Sequence, residues 1–191
     1  MMRKIVICLL SLMLILGMAG CGAEKGGGDE GKSDQKTEES KKKEEKKKSG
    51  KREIEPEEIM FKEDVEAVVG KEVTDTKTRM DDPNTKVLVY HFENRDMVYI
   101  QMFLQQQASY DKNDPGETVK ENFERRKESG NPDVEMEQIG EGTFYYDGVH
   151  VLYKDYWFQL RIGVGQSDDL NERARVGVEI GKRVIDNIDK L

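Results

Sequence analysis

Residues 22–52 contain no large apolar side chain. The stretch opens with Gly26-Gly27-Gly28 and runs into Lys41-Lys42-Lys43-Glu44-Glu45-Lys46-Lys47-Lys48. Such a segment cannot bury enough surface to offset the entropy of ordering it, so it reads as a disordered, charged tether. It divides the chain. A packed core can form only from residues on its far side, and the apolar run before it, Ile5 to Leu16, stands apart from that core.

That run follows Arg3 and Lys4 and ends in Gly17-Met18-Ala19-Gly20-Cys21. A basic start, an apolar stretch of this length and small residues before the break are the layout of a secretory signal peptide. A membrane-spanning helix needs roughly 20 apolar residues, and Gly17 and Gly20 interrupt this one. Met18-Ala19-Gly20-Cys21 resembles the lipobox of bacterial lipoproteins, with Met18 where that family usually has Leu. The resemblance implies a signal peptide over residues 1–20, cleavage between Gly20 and Cys21, and a diacylglyceryl thioether on the Cys21 sulfur. It also implies an acyl chain such as palmitate on the new amino terminus. Two or more chains give stable anchoring where one holds only marginally. Cys8 would leave with the signal peptide and Cys21 would be consumed by lipid, so no thiol is left for a disulfide or a nucleophile.

On this reading residues 21–53 are the lipidated cysteine and its tether, and 54–191 form one domain of ordinary size. The location expected is extracytoplasmic, lipid-anchored to the bacterial cell membrane. Charge is split the same way. Residues 22–52 carry 11 basic and 8 acidic residues, whereas residues 53–191 carry 18 basic and 31 acidic, a net −13. Phosphate contacts need a basic footprint, so nucleic acid is not an expected partner.

Within the domain, a helix is predicted over Lys62 to Val69, with Gly70 at its C-cap, and an edge strand over Glu72 to Met80. Lys86–Glu93 and Met97–Gln105 read as a hairpin around Asn94-Arg95. A two- or four-residue loop puts Val87, Val89, His91, Val98, Ile100, Met102 and Leu104 on one face and Leu88, Tyr90, Phe92, Met97, Tyr99 and Phe103 on the other. Both faces are apolar, which predicts cover on both sides. Asp114-Pro115-Gly116-Glu117 reads as the start of a helix running to about Ser129, with Asp114 capping and Val119 and Phe123 inward.

Asp147-Gly148 is the strongest hairpin signal in the chain. Two-residue loops there and at Lys154-Asp155 place Phe144, Tyr146, Val149, Val151, Tyr153, Tyr156, Phe158, Leu160 and Ile162 on one face of a three-stranded meander. A last helix over Asp169 to Asp189, capped by Ser167 or Asp168, carries a stripe of Leu170, Ala174, Gly177, Val178, Gly181, Val184, Ile185 and Ile188. The order of elements predicts an α+β fold, an antiparallel β-sheet flanked by helices. Ile139-Gly140-Glu141-Gly142, two strands and a helix rich in small residues make the layout similar to lipoprotein domains of the Mog1/PsbP-like type. That resemblance implies an αβα sandwich and carries no function with it.

No motif marks a catalytic centre, and neither a cofactor nor a metal is expected. The two histidines sit on different hairpins, which is not metal-ligand spacing. Asp111 to Gly116 partly matches a calcium loop, but Pro115 holds position five and Asn122 position twelve, where a bidentate Glu is needed. On the register above, Tyr145, His150, Trp157, Gln159 and Arg161 share the second face of the meander, an aromatic and polar patch suited to a small ligand. The functional expectation is a membrane-tethered, non-catalytic domain that binds an envelope protein or a small ligand. The alternative is a cell-envelope enzyme using acidic residues with His150.

Overall fold

The computed structural model describes residues 52–93, 99–163 and 169–191. Cys21, the tether up to Lys51, Asn94-Arg95, Ser167 and Asp168 lie outside the described residues. A 3-10 turn, Pro56–Glu58, leads into α1 (Lys62–Val69). Then come β1 (Val73–Asp82), β2 (Thr85–Phe92), β3 (Tyr99–Gln106), α2 (Gln107–Asn113) and α3 (Val119–Lys127). The chain closes with β4 (Gly142–Tyr145), β5 (Val149–Tyr153), β6 (Tyr156–Gly163) and α4 (Leu170–Ile188).

The six strands form one sheet in the order β1-β2-β3-β6-β5-β4, every neighbouring pair antiparallel. Two three-stranded meanders therefore meet side by side at β3 and β6, and the predicted α+β class holds. One face carries Leu88, Tyr90, Ile100, Met102, Leu104, Phe158, Leu160 and Ile162 under α1 and α4, and this is the main core. Val65 supplies the buried anchor of α1, and Gly70 ends it at φ 71°. On α4 the buried stripe includes Ala174, Gly177, Val178, Ile180, Gly181, Val184 and Ile188, while Leu170 is exposed. Asp169 caps that helix, its carboxylate accepting from the Asn171 N–H at 2.9 Å.

The opposite face is covered over half its width. There α3 packs Val119 and Phe123 onto Phe144 and Leu152 in a second, smaller core, with Tyr110 of α2 joining it. No helix among the described residues lies over β1 and β2 on this side. Val89, His91, Tyr99 and Gln101 line a broad open depression there with Lys77 and Arg79. On this face Val87 and Val89 of β2 are nonetheless buried, whereas Tyr99 and Gln101 of β3 are half-buried, so the expectation of cover on both sides holds for β2 and fails for β3.

Three further expectations are corrected. In the β2–β3 hairpin, His91 pairs with Tyr99 and Leu88 with Met102. An odd number of residues separates the paired positions, so Leu88 and Tyr90 share a face with Ile100 and Met102, and Val87 and Val89 share one with Gln101 and Phe103. Asn94-Arg95 lacks the glycine that a two-residue primed turn takes, and a one-residue slip exchanges the faces. The same shift occurs between β4 and β5. Tyr145 pairs with Val149 and Phe144 with His150, around a three-residue turn. Asp147 at φ 48° and Gly148 at φ 149° build that turn, and a Cβ on Gly148 would meet the Leu160 carbonyl oxygen at 2.6 Å. Phe144 and Tyr146 thus leave the predicted face and Tyr145 joins it. Finally, Asp114 does not start a helix. It follows the unpredicted α2, and Thr118 caps α3 through a capping box with Glu121. Asp111 and Asn113 are helical, so the partial calcium loop does not form.

The entry of the chain into the domain is pinned by two buried polar side chains. Gln106 accepts from the Ile54 N–H at 2.9 Å and donates to the Ile54 carbonyl at 3.0 Å, as a neighbouring strand would. Lys86 donates to the same carbonyl and to Glu55 Oε1 at 2.7 Å.

Candidate functional site

His150 is 1% exposed. Its position follows from the corrected register, which sets it between Phe144 on β4 and Gln159 on β6. The imidazole stacks flat on the Phe144 ring, centroids 4.4 Å apart and planes 9° from parallel. Trp157 Nε1–H donates to His150 Nδ1 at 3.2 Å, so that nitrogen is the acceptor. The proton therefore sits on Nε2, which donates to the Tyr146 carbonyl at 2.7 Å and, on a longer arm, approaches Asp147 Oδ1 at 3.4 Å. Both ring nitrogens are used within the protein.

Asp147 is the hub beside it. The Gln159 amide donates to Asp147 Oδ1 at 2.6 Å, and the Arg161 guanidinium donates to Oδ2. Burial alone would raise the Asp147 carboxyl. The hydrogen bond from His150 and the charge of Arg161 outweigh burial and hold it below its ordinary range. Arg161 also lies over the Phe103 ring at 4.6 Å, and Arg126 of α3 lies over the Tyr146 ring at 4.1 Å.

These side chains edge a cleft of about 260 Å³ where the covered half of the sheet meets the open half. Phe103, Gln105 and Gln159 form its floor, Asp81 and Asp82 one wall, and Arg126, Arg161, Trp157 and His150 the other. Thr85 Oγ1 and Arg161 Nε, which border it, are buried without a hydrogen-bond partner among the described residues.

Of the five residues predicted from sequence, His150, Trp157, Gln159 and Arg161 come together around this cleft. Tyr145 does not. The three-residue turn sends it to the opposite face, into the main core with Val149. Sequence reading missed Phe144, Asp147, Arg126, Phe103 and the Asp81-Asp82 wall. Asp147 was visible only as a turn residue. The others belong to elements whose register or neighbours are set by long-range pairing. His91 shares this sheet face but lies in the open depression, and its Nδ1 is buried without a partner among the described residues.

The chemistry open to the site follows from these bonds. An imidazole with its acceptor nitrogen occupied by an indole N–H cannot take a proton from a substrate without breaking that bond. Asp147, ion-paired and held ionised, is not a proton donor near neutral pH. The cleft presents guanidiniums, carboxylates, amides and two aromatic faces around a small concavity, groups suited to holding a ligand. Among the described residues no group of three or more His, Cys, Asp or Glu side chains is arranged to hold a metal ion. Set beside family models, curated proteins and solved structures, the chain matches none of them.

Proposed function

We infer that this chain is an extracytoplasmic lipoprotein, held to the bacterial cell membrane through Cys21, whose α+β domain binds its ligand or envelope partner without transforming it. The location rests on the Met18-Ala19-Gly20-Cys21 pattern behind a basic and apolar leader. The observation that carries the binding role is the closed bonding of His150. The one deeply buried imidazole bordering the cleft has both nitrogens committed to Trp157 and Tyr146. It therefore acts as a structural post for a recognition surface rather than as an acid or base.

The proposal is tested on whole cells converted to spheroplasts or protoplasts. Protease added outside an intact cytoplasmic membrane should digest the domain while a cytoplasmic marker survives. Protection of the domain until the cells are lysed would contradict it.

A further inference from the structure

We propose that the cleft beside His150 binds a small zwitterion, an ammonium and a carboxylate joined by a short, weakly apolar body, of amino-acid to dipeptide size. The inference rests on the reading of the domain as a binding module and adds to it the class of ligand.

The charges around the cleft are only partly satisfied within the protein. On the acidic wall, Asp81 pairs with Arg79 at 3.6 Å. Its neighbour Asp82 accepts one backbone hydrogen bond, from the Asn84 N–H at 2.8 Å, and has no ion-pair partner among the described residues. On the opposite wall, Arg161 is paired with Asp147. Arg126 has no carboxylate partner among the described residues, and its guanidinium carbon lies over the Tyr146 ring, 4.1 Å from the centroid. Stacking leaves the N–H edge of a guanidinium free to donate in its plane. One anion and one cation therefore remain unpaired, on opposite sides of one small concavity.

Between them the lining is neutral. Gln105 and Gln159 present amides, Phe103 and Trp157 present aromatic surface, and Thr85 Oγ1 is a buried hydroxyl with nothing to bond. An unpartnered buried polar atom costs free energy, and a ligand amide or carboxylate above it would recover that cost. The spacing suits a short molecule. Asp82 lies on β1 and Trp157 on β6, three strand spacings apart, about 14 Å at the backbone. Side chains from both walls reach into that gap, and about 260 Å³ remains. A lone anion would use Arg126 and leave Asp82 facing it; a neutral sugar would use neither.

Trp157 is the only tryptophan in the chain and borders the cleft, so its fluorescence reports occupancy directly. The full chain, purified in detergent, is titrated with L-alanyl-L-alanine, its N-acetyl derivative, its C-terminal amide, sodium acetate and glucose. The free dipeptide should change the Trp157 emission saturably. Blocking either end should weaken binding about tenfold or more, the loss of one charge-assisted hydrogen bond. Arg126→Ala should erase the preference for the free dipeptide over its amide. Asp82→Ala should erase the preference over the N-acetyl form. Both sites are exposed, so an unchanged unfolding midpoint checks that each variant is folded. If blocked and free dipeptides bind alike, or acetate or glucose binds as well as the dipeptide, the ligand class is wrong and the binding module stands. If no probe moves the Trp157 emission, the ligand class and the assignment of this cleft as the binding site both fall.

Discussion

At the scale of single residues, the candidate site is governed by hydrogen-bond completeness. His150→Phe would keep an aromatic ring against Phe144, a somewhat bulkier one. It would leave the Trp157 N–H and the Tyr146 carbonyl without partners in a part-buried place, at about 1–3 kcal/mol per unsatisfied group. Urea unfolding should show a loss of at least that size for one such group, and an unchanged midpoint would mean the bonds are not formed. Glu58 is a second case, with a pH signature. The hydrogen bond from Arg52, then the one from the Glu55 N–H, hold its carboxyl down to about 2 from an ordinary 4.5. Between those values the unfolded chain binds a proton that the folded chain does not, so stability rises with pH. The contribution is fully present above about 4.5 and is lost as pH falls through about 2. Arg52 is largely exposed, so solvent screening trims its size. Thermal melts from pH 5 to 2 should therefore fall less steeply in Glu58→Gln than in the parent, and equal slopes would remove the proposed pairing.

At the scale of elements, α1 and the β5–β6 register were legible in the sequence, while two other hairpin registers and the start of α3 were not. The first helix was legible to the residue, because an apolar face and a C-capping glycine are both local features. The β5–β6 register was legible because Lys154-Asp155 closes a two-residue turn. By contrast, α2 follows β3 without a break, and Gln107-Ala108-Ser109-Tyr110 has no apolar period to mark it. The two slipped hairpins show the larger cost: one residue in a turn moves Tyr145 out of the site and Phe144 into it. The glycines of α4 were placed correctly against the sheet, but they are not equivalent. A Cβ on Gly177 would meet Val149 at 2.7 Å and 3.1 Å, a rigid, fully buried strand residue. On Gly181 it would meet the tip of Ile139 at 2.8 Å, the end of a flexible side chain on a connecting segment. Alanine gains about 1 kcal/mol of helix propensity at either position, and overpacking a rigid contact costs about 1–3 kcal/mol. Gly177→Ala should lower the unfolding midpoint, whereas Gly181→Ala should leave it near the parent. The reverse order would place Ile139, not Val149, as the unyielding neighbour.

At the scale of the whole molecule, the charge split and the point of entry fit one arrangement. The chain enters the domain beside Lys86 and Gln106, at the end of the sheet where β2 begins and β3 ends. The turn of Asp147 and Gly148 is at the other end of the strands, and the cleft opens along the face between these two ends. Residues 53–191 carry a net −13 and residues 22–52 a net +3. All of this depends on the anchor, and the direct measurement is membrane fractionation joined to mass analysis of the amino terminus, for the parent chain and for Cys21→Ser. The account predicts that the parent is found in the membrane fraction, begins at Cys21 and carries a diacylglyceryl group, and that Cys21→Ser is unlipidated and is either uncleaved or released. A Cys21→Ser chain that has lost residues 1–20 and still fractionates with the membrane would contradict it.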